Sequence, residues 1–410
     1  MLKRIRLTDF KSFADERIEL APLTLLVGAN ASGKSNFLDA IRFLQGLVFD
    51  LTLGEVLNGE RNSGPDAWPG IRGRAEEVAR MGKEAFSIDS TWLVGKVGSK
   101  PAQNVDLILD SVEMQHHISC RTIPNPTLEE ESLGSSGQGV EAGLKTTEAR
   151  LRDSLRVDQL QGQPLVVGGK GNLLRLLENG EGRLRAENLW ILARWNEALR
   201  KLRFLEISPS GMRDYGRRGF PLGDEGTNIS GVLADLCEES GEKASLVHWL
   251  VELCAPEIED IDFVEVKELG DVMAMFVEKG GRRISARSVS DGTLHFLGTL
   301  LALRTAEPGS VILIEEIEAG LHPTRIRLLV EYLEAVTRER RIQVIATTHS
   351  PVVLQWLSDE SLRSTIVFGR TPDHEGTIMR RLGDLPHFEE VVQRKGIDDL
   401  FTTGWLEMAL

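Results

Sequence analysis

Three short apolar runs punctuate the chain. Leu23-Thr24-Leu25-Leu26-Val27, Val311-Ile312-Leu313-Ile314 and Val344-Ile345-Ala346 are almost free of polar side chains, the pattern of parallel strands covered on both faces. Elsewhere the period is two. Leu2–Leu7 and Arg17–Leu20 read as strands joined through Asp9-Phe10-Lys11-Ser12-Phe13, and Phe86–Val94, Val105–Leu109 and Val112–Cys120 follow. Ile261–Ser285 alternates as a hairpin around Leu269-Gly270-Asp271. Helical spacing marks Asn36–Leu44, Leu184–Leu205, Asn228–Leu253, Leu294–Arg304 and the face Ile326, Leu329, Leu333, Val336. His116 and His117 are neighbours on a strand, so they point to opposite faces and make a poor ligand pair.

Two stretches lack a period. Residues 51–84 are rich in Gly, Pro and charge, and 124–163 are polar, with a charged helix predicted from Leu144 to Leu160. The second reads as an exposed insertion. Strands interleaved with helices predict an α/β protein, divided at 1–123, 124–256 and 257–410, with a mainly helical middle piece.

Charge narrows the picture. The 410 residues hold 48 Lys+Arg against 62 Asp+Glu, a net charge of −14, with 41% hydrophobic positions. This is a soluble globular composition, and it excludes a protein that coats nucleic acid over its whole surface. Arg200, Lys201, Arg203, Arg213, Arg217 and Arg218 form a local basic cluster, either a nucleic-acid contact or a face paired with acids. Cys120, Cys237 and Cys254 are odd in number and lack C-x-x-C spacing, so neither a disulfide framework nor a zinc site is expected. The N-terminus lacks the apolar core of a signal peptide, and no apolar run approaches the roughly 20 residues of a membrane span. A cytoplasmic protein without a membrane partner is expected.

Chemistry enters with Gly28, Ala29, Asn30, Ala31, Ser32, Gly33, Lys34 and Ser35, which fit G-x-x-x-x-G-K-[ST] between an apolar strand and a helix. Backbone amides at such a helix start can surround a phosphate. Lys34 would reach the β- and γ-phosphates and Ser35 would ligate Mg²⁺. Lys11 and Ser12 are candidate nucleotide contacts or plain turn residues. Arg72 and Arg74 lean onto phosphates or are solvated.

A second set follows Ser288. Ser290 and Gly292 open a helix, as an anion-binding end or an ordinary N-cap. Glu315 and Glu316 end the apolar strand at 311–314, at the edge where open α/β sheets bind ligands. There Glu315 can hold Mg²⁺ or its waters, and Glu316 can orient an attacking water as base. Glu318–Pro323 reads as a tight turn into a helix, and His349, after the run at 344–346, can donate to a γ-phosphate.

The ordered set FKSF at 10–13, GANASGKSN at 28–36, SVSDGT at 288–293, ILIEE at 312–316, EAGLHP at 318–323 and ATTHSP at 346–351 resembles the ABC-type ATPase head of the SMC, RecF and OLD group. The resemblance implies a P-loop NTPase fold, a mixed or parallel sheet flanked by helices. Residues 1–123 and 257–410 would be the two halves of the head and 124–256 an insertion or lid. It implies catalytic roles for Lys34, Glu316 and His349, and Mg²⁺ ligation by Ser35 and Glu315. ATP would be bound by Gly28 to Asn36, with Lys11, Ser12, Ser290 and Gly292. WPGIRG at 68–73, ISPSGMR at 207–213 and LFTTGWLE at 400–407 look like the stand-alone bacterial OLD-like ATPases without a TOPRIM domain. Glu315 stands where most such heads have Asp, and the signature is a short S-x-G. Gln103 and Gln115 are the candidates for the family's Q-loop glutamine.

Spacing separates relatives. Lys34 and Ser290 lie 256 positions apart without sustained heptads, unlike an SMC protein, and a transporter ATPase would have a much smaller gap. Only 61 residues follow His349, without the acidic set of a two-metal nuclease. The resemblance implies an ATP-hydrolysing switch that forms a homodimer on ATP. It would control a DNA-directed or anti-phage defence effector, such as a separately encoded nuclease or toxin. The alternative is a RecF-like DNA-binding clamp for repair or recombination.

Overall fold

The computed structural model describes residues 1–49, 51–60, 67–95, 111–136, 142–147, 165–166, 186–253, 257–371 and 374–410. Three sheets organise them. The first runs β2-β1-β4-β5-β6-β7-β8, from β1 (Leu2–Phe10), β2 (Phe13–Glu19), β4 (Ala85–Gly95), β5 (Ser111–Arg121), β6 (Thr127–Ser136), β7 (Ala142–Thr147) and β8 (Leu165–Val166). The second runs β17-β16-β3-β15-β14-β9, from β3 (Leu23–Val27), β9 (Leu202–Leu205), β14 (Val311–Ile314), β15 (Gln343–Thr347), β16 (Ile366–Gly369) and β17 (Ile378–Arg381). It is parallel except for β17. The third is small: β10 (Gly216–Arg217), β12 (Asp271–Glu278) and β11 (Ile258–Val266), with β13 (Arg283–Ser285) on β12.

The apolar runs are apolar because the parallel sheet has a core on each face. Val311, Leu313 and Ile345 pack with β1, β4 and helix α1 (Lys34–Gly46). Ile312, Ile314, Val344 and Ala346 pack against the opposite cluster. That cluster is closed by α4 (Ile229–Leu236), α5 (Glu242–Leu253), α6 (Asp291–Thr305) and α7 (Ile326–Glu339). Buried Gln343 ties the sheets: its amide accepts from Leu2 N at 2.8 Å and donates to the Leu2 and Ala21 carbonyls.

The middle of the chain differs from the sequence expectation. Residues 127–136 and 142–147 are strands of the first sheet rather than the start of a helical insertion. Polar composition hid them because their glutamates have partners across the sheet. Glu131 meets His116 at 2.9 Å with both side chains fully buried, and Glu129 takes Arg121 at 2.7 Å. Of the helix expected at 144–160, Leu144–Thr147 is strand, and the remainder lies outside the described residues, as do Val105–Leu109 and Gln103. The helix expected from Leu184 is α3 (Ala186–Arg200), which gives way to β9. Leu202 mimicked the next helical position after Leu199, but it lies opposite Val311 in a parallel ladder. Helix α2 (Leu53–Asn58) carries a capping box from Thr52 and Glu55. As expected, His116 and His117 face opposite sides: His116 is buried against Trp195, and His117 meets Asp89 at 2.7 Å.

Candidate functional site

The site lies at the carboxyl ends of β3, β15 and β14, where three loops emerge side by side. Between β3 and α1 the backbone turns through left-handed conformations at Ala31 (φ 62) and Gly33 (φ 112). A Cβ on Gly33 would sit 2.5 Å from Thr377 Oγ1, so only glycine fits there. The Lys34 ammonium donates to the carbonyls of Gly28 at 2.7 Å and Ala29 at 2.9 Å, which holds it against the loop. Ser32 is 5% exposed, and its hydroxyl oxygen is buried without a hydrogen-bond partner. The Ser35 side chain is exposed at the first turn of α1. Glycine curvature, an unspent buried hydroxyl and a cation across the loop together fit a phosphate-bearing nucleotide.

Glu315 and Glu316 leave β14 exposed to solvent. Glu316 takes a left-handed backbone (φ 51) although it is not glycine. Such strain persists where surrounding structure enforces it, and it clusters at functional sites. Here the enforcers are visible. Glu316 N donates to Thr347 Oγ1 at 2.8 Å, Ile317 N to the Thr347 carbonyl at 3.0 Å, and His349 N to the Glu318 carboxylate at 2.9 Å. The acidic loop and the His349 loop are thereby zipped together. Ser35 and Glu315 offer hard oxygen donors suited to Mg²⁺, which binds few carboxylates and shares its shell with phosphates. No cluster of three or more metal-ligating side chains occurs among the described residues.

Arg72 is where sequence reasoning was least decisive. Its guanidinium reaches Asp39 at 3.1 Å, the Ser35 carbonyl at 2.7 Å and Glu315 at 3.5 Å, so it spans the phosphate-loop helix and the acidic strand end. Arg74 instead flanks the 3-10 turn Ala75–Glu77. Beside Arg72 opens a cavity of about 490 Å³ between α1, the 69–72 segment, Phe204–Ile207, His295 and Glu315. Burial holds the His295 imidazole below its ordinary pKa, against opposing contributions from the Ala319 backbone and the Glu316 charge.

Other candidates take different places. Lys11 turns its ammonium into α1, meeting Asp39 and the Arg72 carbonyl, each at 2.5 Å. Ser12 and Asn36 bond to each other at 2.8 Å beneath the phosphate loop. Gln115 sits on β5 opposite Thr91 and lines a groove on the first sheet with Arg4, Arg6 and Arg17. Ser290 caps α6 by accepting from Thr293 N at 3.2 Å. A Cβ on Gly292 would lie 2.7 Å from the Gly320 carbonyl oxygen, so the start of α6 packs directly on the acidic loop.

Two residues, Asp39 and Thr377, went unnoticed in the sequence, and a third, Arg213, was read only as part of a basic cluster. Asp39 is 2% exposed and pairs with both Lys11 and Arg72; its signal was a single acid on the buried face of an apolar helix. Arg213 staples the Ser290 loop, donating to the Val289 carbonyl at 2.9 Å and to Asp291 at 2.7 Å. Thr377 gave no signal at all. Five of the six basic residues of that cluster are paired with acids, Lys201 with Glu197, Arg203 with Asp224, Arg213 with Asp291, Arg217 with Asp271 and Arg218 with Glu265, while Arg200 donates to the Asn196 side chain and the Val48 carbonyl.

Residues 1–80 match the family described as "AAA ATPase domain". Residues 192–355 match the family described as "AAA domain, putative AbiEii toxin, Type IV TA system". Both matches are to ATPase-type domains. The first stretch carries the phosphate loop and Arg72, and the second carries Ser290, Glu315, Glu316 and His349. A DNA replication and repair protein RecF from Gloeobacter violaceus is 48% identical over 44 residues, 10% of this chain and 12% of that protein, so the match spans about an eighth of it. Among solved structures, an SMC head domain from Thermotoga maritima is similar at 12% identity over 93% of this chain and 98% of that one, with a TM-score of 0.41. An Smc head with an extended coiled coil, bound to the C-terminal domain of ScpA derived from Pyrococcus furiosus, is similar at 13% identity over 96% and 98%, with a TM-score of 0.46.

Proposed function

We propose that this chain is an ATP-hydrolysing switch of the SMC and RecF type that dimerises on ATP and controls a separate effector. The observation that carries the reading is one of place. The phosphate loop, the Glu315–Glu316 pair and the His349 loop emerge at the carboxyl ends of β3, β14 and β15, all within one parallel sheet. Lys34 neutralises phosphate charge and Arg72 adds a second cation. Glu316 takes the proton of the attacking water, from a backbone held in place by Thr347. His349, tied to Glu318, donates to the γ-phosphate. Bound Mg²⁺ supplies further charge neutralisation, with Ser35 and Glu315 as its protein donors.

One chain carries one phosphate loop and one Ser290–Gly292 helix start. In the dimer each nucleotide lies between the loop of one protomer and the Ser290 end of the other, under two-fold symmetry. The effector is a DNA-directed or defence protein, in keeping with the toxin–antitoxin description of the family matched at 192–355. Light scattering of Glu316→Gln with and without ATP tests assembly. The expected result is a mass that doubles on ATP; one unmoved by nucleotide contradicts the dimer. The short RecF match is in keeping with a second reading, a DNA-binding clamp in which ATP only gates nucleic-acid contact. ATPase activity that DNA stimulates, and that salt abolishes steeply, would favour the clamp.

A further inference from the structure

A buried hydroxyl from the far end of the chain stands beneath the phosphate loop. Thr377 is 0% exposed and precedes β17. Its Oγ1 lies 2.9 Å from the Ser32 carbonyl and 2.8 Å from Ser12 Oγ, and Ser12 Oγ in turn accepts from Asn36 Nδ2 at 2.8 Å. Each hydroxyl has a single proton to give, and the Ser32 carbonyl can only accept. The Thr377 proton is thus shared between the Ser32 carbonyl and Ser12 Oγ, and Ser12 Oγ also accepts from Asn36 Nδ2.

The backbone builds this arrangement independently of the hydroxyls. Thr377 N donates to the Ser12 carbonyl at 2.7 Å, and Gly376 bridges Phe13. Glu16, 3% exposed, accepts from Met379 N at 2.9 Å and Arg380 at 3.0 Å. The strand pair β16–β17 is thus fastened to β2, and Thr377 arrives against Gly33, where no side chain other than hydrogen fits.

We propose that Thr377 is a positioning residue of the nucleotide site, holding the Ser32 peptide in its phosphate-binding turn. The proposal rests on the nucleotide reading of the phosphate loop. Ser32 is where the loop needs an outside hold, because its own hydroxyl has no partner and the peptide precedes left-handed Gly33. Losing the Thr377 bond leaves a buried carbonyl unsatisfied until the loop shifts, and a shifted loop aims its amides away from the phosphates.

The test compares Thr377→Val, which keeps shape and removes the hydroxyl, with Thr377→Ser, which keeps the hydroxyl. Affinity for a fluorescent ATP analogue and Tm are measured for each full-length variant. Thr377→Val should bind on the order of tenfold more weakly, while Thr377→Ser binds like the parent and the two variants differ little in Tm. Equal binding by Thr377→Val and the parent overturns the proposal, as does an equal loss in Val and Ser. Should Thr377→Val fail to fold, Thr377→Ala removes the same hydroxyl with a smaller side chain: binding weaker than that of Thr377→Ser supports the proposal, and parental binding overturns it. A parent that binds no nucleotide fails the functional reading itself, which separates the two failures.

Discussion

Replacing Asp39 by alanine isolates the interaction that couples the phosphate-loop helix to Lys11 and Arg72. The carboxylate is 2% exposed, the Lys11 side chain 9% and the Arg72 side chain 50%. Removing one partner of a buried ion pair costs about 3–5 kcal/mol, because the other charge stays behind in a poorly solvated place. Half-exposed Arg72 is screened by water and adds little to that figure. Lys11 also keeps the Arg72 carbonyl at 2.5 Å as an acceptor, which moves the expected loss to the lower end, about 3 kcal/mol. Lys11→Met in the Asp39→Ala background removes the stranded ammonium. The double variant should therefore be more stable than Asp39→Ala alone by about 1–2 kcal/mol, a non-additivity proper to contacting residues. Urea denaturation followed by tryptophan fluorescence measures both steps, with m-values compared to check that the transition keeps its character. An Asp39→Ala chain within about 0.5 kcal/mol of the parent, or strictly additive effects, would refute the reasoning.

Two further outcomes follow from the geometry. Gly292→Ala sets a methyl 2.7 Å from a backbone oxygen that no rotamer change can move. Overpacking of about 1–3 kcal/mol should displace the acidic loop and cut ATP turnover while binding at the phosphate loop survives; parental turnover in a phosphate-release assay would contradict the packing. For His295, burial lowers the folded pKa below the ordinary 6.5. The unfolded chain then takes up the proton first as pH falls, so stability present above about pH 6.5 declines below it. His295→Asn should flatten that decline, and identical pH profiles between about pH 7 and 5 would count against the assignment.

Much of this was legible in the sequence where a local pattern has one physical cause. The runs at 23–27, 311–314 and 344–346 could be read as doubly covered strands because a core on each side favours apolar side chains at nearly every position. The phosphate loop was legible because glycine, lysine and serine at fixed spacing answer to one geometry. Strands 127–136 and 142–147 were not, because Glu129 and Glu131 find their partners on a neighbouring strand that a window of sequence cannot show. Leu202 was misread because a strand following a helix prolonged the helical spacing by one step. Asp39, the stapling role of Arg213, and Thr377 escaped for a related reason. Their importance lies in partners 28, 78 and 365 positions away, and only the fold brings those partners near.

The central claim, that this site hydrolyses ATP with Glu316 as base, is tested most directly by turnover and binding measured side by side with Mg²⁺. Parent, Lys34→Ala and Glu316→Gln are the three proteins needed. The account predicts that the parent releases phosphate and that Lys34→Ala loses nucleotide binding. It also predicts that Glu316→Gln binds ATP like the parent while turning it over on the order of a hundredfold more slowly or worse. Parental turnover by Glu316→Gln, or phosphate release undiminished in Lys34→Ala, would contradict it.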